Sequence, residues 1–352
     1  MVLTRRAATE QNSISRWLPN EVLAAVMTYC SEADLVALCK TSRLLRNLAR
    51  PVLYRSISIG TTAQMKAFLR TMKSIRPTSS TPRLSDHVRQ FVVTDRQCTR
   101  NLPKRTAEFL SSLIPKFHHL QSLDLGFNKS LEFTEMLERA SFSNLSNFSY
   151  TVPSHNLTLV PSFLNRHSTT IKDLSLISDA HPNSVPHLDT VHLPRLKSYD
   201  GPSFFIRFFD TSTTCSVTTV FLWFRPYDRD IDRALMLLGP MTALHSFFAF
   251  GIPDDIPETT VLESVAKHIP RIQTVALRKD GANQISYPNA LEIAPCLKKL
   301  KYLHSFNIGD DDGEDYDDLE TVYLWSGACS TLSSIVVRTW APAVTMILVK
   351  LS

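Results

Sequence analysis

The chain predicts an α/β fold: a small all-α unit at the N-terminus, followed by a solenoid of strand–helix units built around a parallel sheet. Three observations predict it. Residues 18–54 carry three short helical patterns in succession. A template of the form apolar-x-x-apolar-x-apolar then recurs along the chain, and helix-like segments fill the intervals between its copies.

Residues 1–14 are polar and expected to be flexible. Pro19 suits the first turn of a helix, where a missing N–H costs nothing, and Val22, Leu23, Val26 and Met27 follow at helical spacing. Ser31 or Asp34 can cap a second helix carrying Leu35, Leu38 and Cys39; Thr41 or Ser42 can cap a third with Leu44, Leu45 and Leu48. Pro51 is expected to interrupt that third run, with Val52, Leu53 and Tyr54 closing the unit. Three helices in so short a stretch bury too little surface for independence, so the unit should lean on a neighbour or a partner.

The Leu18-Pro19 opening, the Ser31-Glu32-Ala33-Asp34-Leu35 helix start, the Thr41-Ser42-Arg43 turn and the Leu53-Tyr54-Arg55 ending together resemble an F-box of fungal type, covering residues 15–58. Leu44-Leu45 stand where many F-boxes carry a Trp. The resemblance implies that this unit docks on a Skp-type adaptor and through it a cullin, as part of a ubiquitin ligase. Leu18, Pro19, Val22, Leu23, Leu35, Leu38 and Leu44 are the candidate contacts, because small apolar helix faces fit a partner groove.

Residues 59–86 read as a connection. Ser56 to Ile59 alternates like a strand, Met65, Phe68, Leu69, Met72 and Ile75 have helical spacing, and Arg76–Arg83 has loop composition. From residue 87 to 352 the template repeats, from Val88/Phe91/Val93 to Leu332/Ile335/Val337, at intervals of 21 to 32 residues. Leu196/Tyr199/Gly201 is a degenerate copy. Each unit is one strand plus one helix with too little apolar surface to fold alone. The pattern resembles an irregular leucine-rich-repeat horseshoe; the usual Asn turn is seen only at Gly126-Phe127-Asn128. A doubly wound sheet is the rival arrangement of the same elements.

Composition narrows the function. Six scattered cysteines form no C-x-x-C pair, so neither a disulfide framework nor a zinc site is indicated. With no apolar run long enough for a bilayer and no signal peptide, a cytoplasmic or nuclear protein without a membrane partner is expected. The first 100 residues carry 16 Lys/Arg against 6 Asp/Glu, a basic face (Arg43, Arg46, Arg50, Arg55) suited to an acidic partner. No aromatic–basic interleaving supports nucleic acid.

Signs of catalysis are lacking: no G-x-S-x-G, H-E-x-x-H, phosphate loop or dinucleotide fingerprint occurs, and no cofactor or metal is expected. His181, His187 and His192 read as a loop cluster with only Asp189 as a nearby carboxylate, and the adjacent His118 and His119 point apart. The acidic run 310–320 fails as an EF-hand, because Gly313 in sixth place puts Ile308 and Leu319 where oxygen ligands belong. It reads as an exposed loop, with docking of a basic partner as the functional alternative. The sequons at Asn128, Asn144, Asn147 and Asn156 are expected to be unmodified. The apolar stretch 343–352 reads as an uncapped last repeat or a truncated gene model.

The most suggestive feature is aromatic. Alternation places Phe221 and Trp223 on the face of one strand away from the core, and Phe248 and Phe250 on that of the next. Together they would form an exposed patch for a protein substrate, with Arg225 adding cation–π or charge contacts. A register slip of one residue would bury them instead.

Overall fold

The computed structural model describes residues 18–74, 83–93, 104–126, 133–178, 180–181, 187–225, 228–279, 287–309 and 318–338. The N-terminal segment 1–14, the loop 76–82, the Phe127-Asn128 turn, residues 310–317 of the acidic run and the stretch 343–352 lie outside the described residues. The chain divides into two compact units, Met1–Leu145 and Ser146–Ser352.

The first unit begins with α1 (Asn20–Met27), α2 (Glu32–Thr41) and α3 (Arg43–Leu53). Of the alternative caps, the Ser31 hydroxyl accepts the Asp34 N–H at 3.2 Å and the Ser42 hydroxyl accepts the Leu45 N–H at 3.1 Å. Pro51 does not interrupt α3, which runs through it to Leu53. A proline this close to the C-terminal end removes one ladder bond, to the Asn47 carbonyl, and Asn47 is exposed to water. Met27, Leu35 and Ala49 form the small core of the three helices.

Three parallel strands follow in chain order, β1 (Ser56–Ile59), β2 (Gln90–Val93) and β3 (Ser122–Leu125), with α4 (Thr62–Ser74), α5 (Lys104–Leu113) and α6 (Thr134–Arg139) as the helices of this unit. The strand–helix alternation thus starts at β1, inside the segment read as a connection. Ile57 pairs with Phe91 and Ile59 with Val93, so Tyr54/Ile57/Ile59 is a further copy of the template overlapping the end of the helical unit.

In the second unit β4 (Asn147–Val152), β5 (Asp173–Ser178), β6 (Ser198–Pro202), β7 (Thr219–Trp223), β8 (Ser246–Ile252), β9 (Thr274–Lys279), β10 (Ser305–Gly309) and β11 (Ser334–Arg338) pair in parallel, each with its sequence neighbour. Alternating with them are α7 (Leu159–Arg166), α8 (Thr211–Ser216), α9 (Ile231–Met236), α10 (Glu258–His268), α11 (Tyr287–Leu297) and α12 (Asp318–Ala328). A doubly wound sheet would reverse direction at a switch point; this strictly sequential order is that of a repeat solenoid, as expected.

The template dictates the packing. The middle apolar residue of each copy, from Phe91 to Ile335, is between 0 and 4% exposed. Helices complete the layer: Phe163 of α7 packs on Phe148 at 4.7 Å between ring centroids, and Trp325 of α12 meets Phe306 edge-on at 5.3 Å. The Trp325 indole N–H is satisfied by the Ala290 carbonyl at 2.9 Å. Each strand is entered the same way, with two consecutive N–H groups donating to one carbonyl of the preceding repeat. Thr218 and Thr219 donate to Lys197, His245 and Ser246 to Thr218, and Gln273 and Thr274 to His245. Repeats are therefore joined by backbone, and their side chains are free to vary. Among the described residues, no helix is long and apolar enough to cross a membrane.

Candidate protein-docking surfaces

On α1, Met27 points into the helical core, Cys30 packs against that core and Leu23 is half-buried. The opposite stripe is left to solvent: Leu18, Val22, Val26 and Tyr29 are 41, 42, 55 and 92% exposed. Their spacing of four, four and three residues sets them on one face of the helix. Val36 of α2 is a further exposed apolar side chain.

The structure divides the seven residues singled out from the sequence. Leu18, Pro19 and Val22 are exposed, Leu23 and Leu44 are half-buried, Leu35 lies inside the unit's own core, and Leu38 packs against it. Val26, Tyr29 and Val36 were missed. The signal for the first two was the same period counted from Leu18. Of the basic face, Arg43, Arg46 and Arg55 are exposed and Arg50 is half-buried, while Arg46 donates from Nε to the Cys39 carbonyl at 2.8 Å.

In the second unit the register sets Phe221 beside Phe248 and Trp223 beside Phe250. All four face away from the buried template residues, with no slip. Phe221 stacks on Phe248 at 4.3 Å and 11°, and Trp223 on Phe250 at 5.0 Å and 26°. Trp223 is 42% exposed, the three phenylalanines partly so. The Trp223 indole N–H donates to Asp200 of β6, whose other oxygen accepts the Ser175 hydroxyl at 3.0 Å. Arg225 does not supply the expected cation–π contact. Its guanidinium donates to the Ser178 carbonyl at 2.9 Å and its backbone N–H to Asp228 at 3.1 Å, which binds the loop after β7 to the end of β5.

One polar cluster has the residue types of a nucleophilic triad without its geometry. His192 Nδ1 lies 2.6 Å from Asp210, but the Ser212 hydroxyl sits near that same Nδ1 and donates to the Asp210 carboxylate, whereas a triad needs the serine on Nε2. Asp210 is a helix cap: it accepts the Thr213 N–H at 2.8 Å at the start of α8. Burial pulls its carboxyl up, but hydrogen bonds from His192, Thr213 and Ser212 prevail and hold it at about 2. A depressed carboxylate contributes stability above its unfolded value, about 3.9, and loses that contribution as pH falls towards the folded value. Between pH 5 and 2, urea unfolding monitored by circular dichroism should therefore weaken more steeply for the natural chain than for Asp210→Asn. Equal slopes would refute this role. His181 and His187 are not joined to His192 in a metal site; among the described residues no group of three His, Cys, Asp or Glu side chains could hold a metal ion.

The class these features define is a small helical docking unit followed by a parallel strand–helix solenoid. A family model described as F-box-like matches residues 17–60. Among solved structures, the chain is similar to the leucine-rich repeat-containing protein LegL7 from Legionella pneumophila, with 11% identity and a TM-score of 0.39, over 81% of this chain and 91% of that one. No curated protein sequence matches the chain.

Proposed function

We propose that this chain is the substrate-recognition subunit of a ubiquitin ligase of the Skp–cullin–F-box type. The exposed stripe of α1 docks on a Skp-type adaptor and through it on a cullin, and the aromatic patch of β7 and β8 holds a protein substrate. The carrying observation is the coincidence of the F-box-like match at 17–60 with the stripe Leu18, Val22, Val26 and Tyr29 left exposed within it. Large exposed apolar patches mark interaction sites, and Trp223 with its stacked phenylalanines is an anchor of the type that dominates interfaces. In this reading the chain is not an enzyme and needs no cofactor. It acts in the cytoplasm or nucleus, without nucleic acid or membrane partners, by raising the effective concentration of substrate lysines near the conjugating enzyme.

Co-purification of the full chain with a Skp-type adaptor tests the reading. The natural chain should bind, and a Val22→Asp/Tyr29→Ser variant should lose binding with an unchanged circular dichroism spectrum. Leu35→Ala should instead cost about 2–5 kcal/mol of stability in the helical unit. A folded natural chain that fails to bind would replace this reading with that of an interaction scaffold acting outside a ligase.

A further inference from the structure

Independently of that reading, the second unit contains a pocket of about 240 Å³ whose charged lining is His181, Arg207, Asp228, Arg229, Asp230 and Arg233. These residues come from the three connections that leave β5, β6 and β7 at their C-terminal ends.

The charges in it are unevenly satisfied. Arg229 faces Asp255 at 3.4 Å. Asp230 caps α9 by accepting the Arg233 N–H at 3.0 Å, so it serves that residue's backbone. Asp228 accepts the Arg225 N–H, and burial pushes its carboxyl up, against the pull of Arg225 and His181. Arg207 lies against the Phe208 ring, 4.7 Å from its centroid. Among the described residues, neither the Arg207 nor the Arg233 guanidinium meets a carboxylate. Yet they are close enough that Arg233, after burial, pushes the Arg207 guanidinium down. Two like charges held at one pocket, with the nearby carboxylates turned to other partners, form a fork pair suited to a shared oxyanion.

We propose that this pocket binds a phosphate monoester, bridged between Arg207 and Arg233. A phosphoryl group carries a charge of about −1.5 to −2 at neutral pH and three acceptor oxygens, which matches two uncompensated guanidiniums better than a single carboxylate does.

The test is calorimetric titration of the full chain at low salt with O-phosphoserine, inorganic phosphate and, as control, serine. O-phosphoserine should bind saturably and serine should not. Arg207→Ala and Arg233→Ala should each weaken binding by about tenfold or more, a loss typical of charge-assisted bonds. Lys299→Ala, at an exposed pair with Glu263 on another repeat, should leave binding unchanged. Arg207→Lys and Arg233→Lys keep the charge but lose the fork, and should weaken binding even if an alanine variant misfolds. Inorganic phosphate binding as tightly as O-phosphoserine supports the site with free phosphate as ligand. Tighter O-phosphoserine supports it with a phosphorylated side chain as the source. Absence of saturable binding by either, or binding indifferent to both arginines, overturns the proposal.

Discussion

Replacing Gly201 with leucine is expected to destabilise the second unit by about 3 kcal/mol or more, although leucine would make β6 a better match to the repeat template. A Cβ at this position would lie 2.6 Å from the Tyr199 hydroxyl oxygen and 2.9 Å from the Leu176 backbone oxygen. Neither neighbour can give way. Tyr199 is fully buried with its hydroxyl donating to the Pro202 carbonyl at 2.9 Å, and the Leu176 oxygen is part of β5. The irregular repeat is therefore a matched exchange, in which tyrosine takes up the volume that the next template position normally supplies. Urea unfolding of the full chain gives the reading. Pairing Gly201→Ala with Tyr199→Leu should recover part of the loss, because the two share one space, with a coupling of about 0.5–3 kcal/mol. An unchanged midpoint for Gly201→Leu would show that the repeat has room this account denies it.

Glu258→Ala should be nearly as severe, at about 3–5 kcal/mol, because it strands a buried cation. Lys279, at the end of β9, meets Glu258 at 3.1 Å with side chains only 13 and 9% exposed. Glu258 opens α10, where a carboxylate also meets the positive end of the helix dipole. The ammonium has one further contact, with the Asp254 carbonyl at 3.4 Å. Replacing both partners, as Glu258→Leu/Lys279→Met, should cost much less than the single change. If the single and the double variants unfold alike, the pair contributes through packing and not through charge.

Much of the fold was legible because its signal is local. The template repeats within each strand, and alternation alone put Phe221, Trp223, Phe248 and Phe250 on one face. The strand at Ser56–Ile59 was seen, but its membership of the sheet was not, since Tyr54 had been assigned to the close of the helical unit. The α1 stripe was half legible. Val22 and Val26 share a period with Leu18 and Tyr29, yet sequence cannot tell which side of a helix its neighbours cover, and Leu35 proved to be core. What escaped entirely was assembled from distant residues. His192 meets Asp210 across 18 positions, and the arginines of the pocket arrive on separate connections. No periodicity records such meetings.

The ring stacking on β7 and β8 has a consequence for what can approach it. Phe221, Phe248, Phe250 and Trp223 spend much of their π-surface on one another, and the indole N–H is already engaged by Asp200. What remains towards solvent is a stiff ridge of C–H edges, the electropositive rim of each quadrupole. Such a ridge loses little side-chain entropy on association. It favours a visitor that brings electron-rich oxygen or another ring's face, and it discriminates against ammonium groups, which seek the faces these rings have given to each other.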